Sequence, residues 1–121
     1  MKASYTALEK EFSDVCKPNY LKTIEFPDDL FQGWYPIVRT VLEAARKEGL
    51  TISLIKEKYA NLRVHADRHN EKFSAICNFA CDLSLNTCST CGKYGQLRFR
   101  GGWYITGCGN CFPDWNIKTN V

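Results

Sequence analysis

The stretch CSTCGKYGQLRFRGGWYITGCGNC, residues 88–111, decides how the rest of the chain is read. It opens with Cys88-x2-Cys91 and closes with Cys108-x2-Cys111, with sixteen residues between the pairs. Two residues between cysteines form a tight turn that brings both sulfurs to one side, and sixteen suffice for a β-hairpin that returns the second turn to the first. This spacing points to a tetrahedral zinc site in a zinc ribbon. Gly92 follows the first pair and Gly109 lies inside the second, where the backbone is expected to curl around a metal and a side chain would obstruct it. Four cysteines leave no coordination position for water or substrate, so one structural zinc is expected, held by Cys88, Cys91, Cys108 and Cys111, with no reaction at the metal. The competing readings are disulfide pairs or unconnected buried thiols, and disulfide frameworks belong to secreted chains.

Nothing at the N-terminus reads as secretory, because Lys2 is followed by a polar segment containing Glu9, Lys10 and Glu11 and no apolar run. No stretch approaches the roughly 18 apolar residues of a membrane span. The expectation is a soluble, cytoplasmic chain with reduced cysteines and no membrane partner. With 121 residues and 45% hydrophobic content there is room for one compact core, and the ribbon is a satellite too small to fold without its metal. The formal charge of +3 falls to about +1 once four thiolates and a divalent cation are counted, so global charge does not name a partner. Cys16, Cys77 and Cys81 remain outside the zinc set and read as small buried hydrophobes.

Upstream of the ribbon, Tyr5, Leu8 and Phe12 recur at helical spacing over 3–16, and Lys17-Pro18 ends the pattern. A looser segment over 19–33 follows, with Pro27-Asp28-Asp29 as a turn and Phe26, Leu30 and Phe31 as apolar anchors wrapping the core. From Trp34 onward Ile37, Val38, Val41, Leu42 and Ala45 have helical period, Pro36 fits a first turn and Gly49 supplies the stop. Alternating runs over 51–55 and 62–67 read as an antiparallel hairpin separated by the polar stretch 56–61. A further helix over 69–86 has Phe73, Ile76, Cys77, Ala80, Leu83 and Ser84 on one face and His69 or Asn70 near its start. Within the ribbon, residues 96–100 and 103–106 are strand-like around a Gly101-Gly102 turn. The fold class is therefore α+β: helices packed on a small antiparallel hairpin or sheet with a C-terminal zinc ribbon. The organisation is an N-terminal helix and wrapping segment (1–32), a helix-hairpin-helix core (33–86), the ribbon (87–115) and a tail (116–121).

Three blocks of residues carry a resemblance: Gly33-Trp34 opening a helix; Ile55-Lys56-Glu57-Lys58-Tyr59-Ala60-Asn61-Leu62-Arg63 across the hairpin; and Cys88-Ser89-Thr90-Cys91-Gly92 with Gly102-Trp103 leading into Cys108. Together they resemble a group of small bacterial and phage proteins, mostly uncharacterised, with a Gly-Trp helix, a Lys-Glu-Lys-aromatic hairpin and a C-terminal Cys-x2-Cys zinc ribbon. The resemblance covers 33–111 and implies the architecture without an activity. This chain carries Ala60-Asn61 where the group favours paired glycines, and Cys111 where a histidine is common.

Enzyme readings find little support. A zinc deaminase needs His-x-Glu and Pro-Cys-x2-Cys, whereas His65 is followed by Ala66-Asp67 and Cys88 is preceded by Thr87 instead of proline. His65 or His69 beside Cys77 or Cys81 would be needed for a cysteine nucleophile, and the same four residues have spacings that permit a second zinc site. No enzymatic activity is expected. For partners, Lys93, Arg98 and Arg100 with Tyr94, Phe99, Trp103 and Tyr104 form a basic and aromatic surface without acids, able to hold phosphates and stack bases. Lys56, Lys58, Arg63 and Arg68 are diluted by Glu57 and Asp67 and read as a solvated hairpin. The reading placed first is docking on a host protein, as adaptor or inhibitor of phage or prophage type, with Tyr104 and Trp115 as candidate anchors; nucleic-acid binding through Lys93, Arg98, Arg100 and the neighbouring aromatics is the alternative.

Overall fold

The computed structural model describes residues 4–19 and 21–118. The expected helix start at Ala3 and the last residues of the tail, 119–121, lie outside them. Helix α1 (Tyr5–Glu11) begins at Ser4, whose Oγ accepts the Ala7 N–H at 3.1 Å, and buries Tyr5 and Leu8. It ends a turn earlier than the spacing up to Cys16 suggests, because the backbone there has another partner. Ile52 N–H donates to Val15 O at 2.8 Å and Lys17 N–H donates to Ile52 O at 2.9 Å, so this stretch leaves the helix to pair with the hairpin. Farther along, Ile55 N–H bonds Thr23 O and Glu25 N–H bonds Ile55 O. The Glu9 carboxylate fixes the same segment by accepting the N–H groups of Thr23 and Ile24. Phe26 and Phe31 pack inward as anchors, whereas Leu30 points out and is 53% exposed.

A single 3₁₀ turn (Gln32–Trp34) leads into helix α2 (Tyr35–Lys47), which carries Pro36 in its first turn and buries the five apolar residues its period selects. Gly49 follows with φ +69° as the expected stop. Arg46 forks onto Asp14 at 2.7 and 2.9 Å with its guanidinium 4.1 Å from the Phe12 ring centroid, and Arg39 pairs with Glu11, so α1 is tied to α2.

Strands β1 (Ile52–Lys58) and β2 (Asn61–Ala66) form the antiparallel hairpin. The polar stretch expected to separate them is mostly strand: Lys56 pairs with Arg63, Glu57 with Leu62 and Lys58 with Asn61. The turn is only Tyr59 and Ala60, both left-handed at φ +52° and +66°, the backbone of a two-residue hairpin usually occupied by Asn and Gly. Helix α3 (Glu71–Ser84) starts at Asn70, whose side chain accepts Phe73 N–H, and packs on α2 and β2 through Phe73, Ala80 and Ser84. Ile76 is half-buried and Leu83 exposed, so the buried stripe is narrower than its period implied.

The C-terminal unit is a sheet of β3 (Gln96–Arg100), β4 (Trp103–Gly107) and β5 (Asn116–Ile117) in the order β4-β3-β5, with Gly101 and Gly102 at positive φ in the tight turn. Helices on a small antiparallel hairpin with this C-terminal cysteine-bearing sheet make an α+β fold. None of the helices, among the described residues, is long and apolar enough to cross a membrane.

Candidate metal centre

Two turns of the same construction carry the four cysteines. In the first, Gly92 N–H donates to Cys88 O at 2.9 Å; in the second, Phe112 N–H donates to Cys108 O at 3.0 Å, so each Cys-x2-Cys is closed by a bond from the fifth residue to the first. Gly92 has φ +82°, as its position demands, but Gly109 has no positive φ and an added Cβ would meet only Arg98 at 3.7 Å. The expected obstruction at Gly109 is therefore absent. Antiparallel β3 and β4 connect the turns, and Cys88 N–H to Lys93 O at 2.7 Å and Ser89 N–H to Thr106 O at 2.9 Å lock the first turn against the sheet.

The sulfurs of Cys88, Cys91, Cys108 and Cys111 all lie within 4.8 Å of one another, and Cys91 and Cys108 Sγ are 3.6 Å apart. Zinc bonds to thiolate of about 2.3 Å in a tetrahedron put sulfurs about 3.8 Å apart, so the cluster is compatible with one structural zinc. Its charge chemistry also calls for a cation. The Cys111 N–H, 3.4 Å from Cys108 Sγ, leads the effects that lower the Cys108 thiol to about 6, while burial pushes Cys111 up to about 12. All four sulfurs can be thiolates together only when a cation offsets their repulsion. The guanidinium of Arg98 lies beside the second turn, within 3.7 Å of where a Cβ on Gly109 would sit.

The centre is docked on the helical core at a seam without side-chain slack. A Cβ on Gly33 would meet Cys88 O at 2.0 Å and Gly92 N at 2.5 Å, and Gly33 N–H donates to Ser89 O at 2.9 Å. The neighbouring Trp34 is fully buried and donates its indole N–H to Thr87 O at 2.9 Å. At the other end of the seam Thr106 Oγ1 donates to Ala60 O at 3.0 Å, joining the hairpin tip to β4. On β4 itself, a Cβ on Gly107 would sit 2.2 Å from the Phe112 ring. These seam residues escape a reading based on ligand spacing; the Gly33-Trp34 pair was visible only as a motif.

The remaining cysteines are not a second centre. Among the described residues, Cys88, Cys91, Cys108 and Cys111 form the only group of three or more metal-ligating side chains close enough to share an ion, so His65, His69, Cys77 and Cys81 do not converge. Cys16 is buried, Cys77 and Cys81 half-buried, and burial raises both Cys16 and Cys77 to about 11, which keeps them protonated at neutral pH. Cys81 Sγ donates to Asn61 Oδ1 at 2.7 Å.

The partner-binding candidates divide between two faces. Strand register puts Arg98, Arg100, Trp103 and Ile117 on one face of the ribbon sheet and Phe99 and Tyr104 on the other. Arg98 is half-buried and donates to Gly107 O and Trp115 O, whereas Arg100 is exposed. Lys93 and Tyr94 are exposed in the loop after the first turn, Tyr104 is 36% exposed, and Trp115 is half-buried edge-on against Phe112. No protein-family profile matches the chain, and no curated protein or solved structure shows significant similarity to it.

Proposed function

We propose that this chain is a non-catalytic zinc-ribbon protein of phage or prophage type that acts by docking on a host protein, as an adaptor or inhibitor. The observation that carries the reading is Trp103, 74% exposed beside the Gly101-Gly102 turn on a face shared with Arg100 and the half-exposed Ile117, on a sheet whose other end is the metal centre. Trp and Arg dominate the centres of protein interfaces, and a ring held on a rigid strand loses little entropy when covered. A four-thiolate set has no open coordination position, which supports a scaffold role for the metal. The phage origin rests on the resemblance of the Gly33-Trp34, Lys56-to-Arg63 and Cys88-to-Cys108 blocks. The alternative of nucleic-acid binding through Lys93, Arg98 and Arg100 is weakened because Arg98 is already committed to two backbone carbonyls.

Capture from bacterial host lysate on immobilised, zinc-loaded protein tests the reading. A stoichiometric host protein is expected whose capture survives nuclease and is lost with Trp103→Ala. Capture that disappears with nuclease, or that ignores Trp103, contradicts it.

A further inference from the structure

The outward face of the β1-β2 hairpin gathers three cations and a ring held in a strained turn, with no ion pair to the cations among the described residues. Lys56 lies directly opposite Arg63, and like charges at directly paired positions destabilise a sheet. Lys58 extends the same face two residues along, at the turn. None of the three has an ion pair among the described residues, whose pairs use Arg39, Arg46 and Arg68. Tyr59 then adopts φ +52°, a conformation that a ring-bearing side chain seldom takes, and leaves its ring 73% exposed with the Lys58 ammonium 5.9 Å from its centroid. The two-residue turn demands the positive φ, and what it places at the tip is an exposed ring in place of the usual Asn or Gly.

The acids that dilute this basic run in the sequence do not dilute it in space. Glu57 alternates to the opposite face and its carboxylate accepts the Ala60 N–H at 2.7 Å. Asp67 is occupied by Thr51 N–H and by Arg68, both at 3.0 Å. The exposed Glu25, whose N–H donates to Ile55 O, lies beside Lys56 on the neighbouring segment but makes no ion pair with it among the described residues, and it lines a cleft with Lys22, Leu54 and His65.

We propose that this face binds single-stranded nucleic acid, with phosphates on Lys56, Lys58 and Arg63 and one base stacked on Tyr59. Cations two residues apart on one strand are about 7 Å apart, close to the phosphate repeat of an extended nucleic-acid strand. An acidic protein segment would satisfy the cations but would leave the flat ring without its match, and a duplex would offer it no unstacked base. The site lies on a different sheet from the ribbon face and does not rest on the host-docking reading.

The test is fluorescence anisotropy of the full zinc-loaded chain with a labelled oligothymidylate of about 20 nucleotides. Three phosphate contacts predict a loss of affinity of about 20-fold between about 50 and about 200 mM salt. Tyr59→Asn should weaken binding about tenfold, while the melting temperature holds or rises, since asparagine suits a left-handed turn. The triple change Lys56→Gln, Lys58→Gln, Arg63→Gln should remove the salt dependence without loss of stability. The proposal is overturned by no binding at the lower salt, by binding that Tyr59→Asn leaves intact, by loss through Lys93→Gln with Arg100→Gln instead, or by a polyglutamate peptide competing as well as the oligonucleotide, which would assign the face to an acidic protein.

Discussion

The β1-β2 sheet and the β3-β5 sheet are similar in size and are held by different forces. Every residue of the main apolar cluster lies between Tyr5 and Ala80, so the first sheet is covered by α1, the wrapping segment, α2 and α3. The second sheet contributes no residue to that cluster; Thr106 and Gly107 are buried, but Trp103 and Ile117 face solvent. What the ribbon lacks in burial it must obtain from its four thiolates. The difference teaches that one chain can carry a self-sufficient core and a metal-dependent module, joined at Gly33, where backbone meets backbone, and at Trp34 and Thr106, whose side chains donate to the carbonyls of Thr87 and Ala60.

The strongest way to break the comparison is to remove the metal. Structural zinc contributes about 10–16 kcal/mol to domains of this kind, so a chelator under reducing conditions should strip amide-exchange protection from β3, β4 and β5 and leave α2, β1 and β2 protected. Loss of protection throughout would mean that the core is not self-sufficient. Next in size is the seam. Gly33→Ala forces a methyl against Cys88 O and Gly92 N, both backbone, and should cost about 3 kcal/mol while weakening metal affinity measured by chelator competition. Trp34→Phe keeps most of the apolar volume but leaves Thr87 O without its donor, at a cost of about 2 kcal/mol by denaturant titration.

Smallest is the pairing of α1 with α2. The Arg46 guanidinium holds Asp14 below the usual carboxylate range, and Arg39 does the same to Glu11. A carboxylate whose folded pKa is depressed stabilises the fold above its unfolded pKa and loses that contribution as pH falls through the folded one. Arg46→Ala should therefore lower the melting temperature of the core at neutral pH, and the two proteins should converge in acid, below the folded range of Asp14. Added salt should shrink the same difference, because both partners are exposed. A difference that persists in acid would assign the effect to Arg46 packing over the Phe12 ring instead.

How much of this was legible follows the same division. Cysteine spacing determined the metal cluster, because ligand geometry is local, and the period of α2 marked its five buried residues, because one face meets the core along the whole helix. The Gly101-Gly102 turn was readable for the same local reason. The Tyr59-Ala60 turn was not, since a tyrosine and an alanine occupy left-handed positions that normally announce themselves as Asn or Gly, and the flanking lysines looked like loop. Strand β5 has two residues and no pattern of its own; pairing with Arg98 and Phe99 of β3 creates it. The early end of α1 is likewise set by Ile52, far away in sequence. The engagement of Arg98 by the carbonyls of Gly107 and Trp115 depends on residues that only the folded chain brings to it, so its strand pattern does not announce it.

The account stands on one ion held by four sulfurs, and zinc-edge X-ray absorption on the purified, reduced protein tests that most directly. One zinc per chain with four sulfur neighbours at about 2.3 Å is the expected result. A substoichiometric metal, or a shell containing nitrogen or oxygen in place of a sulfur of Cys88, Cys91, Cys108 or Cys111, would contradict it.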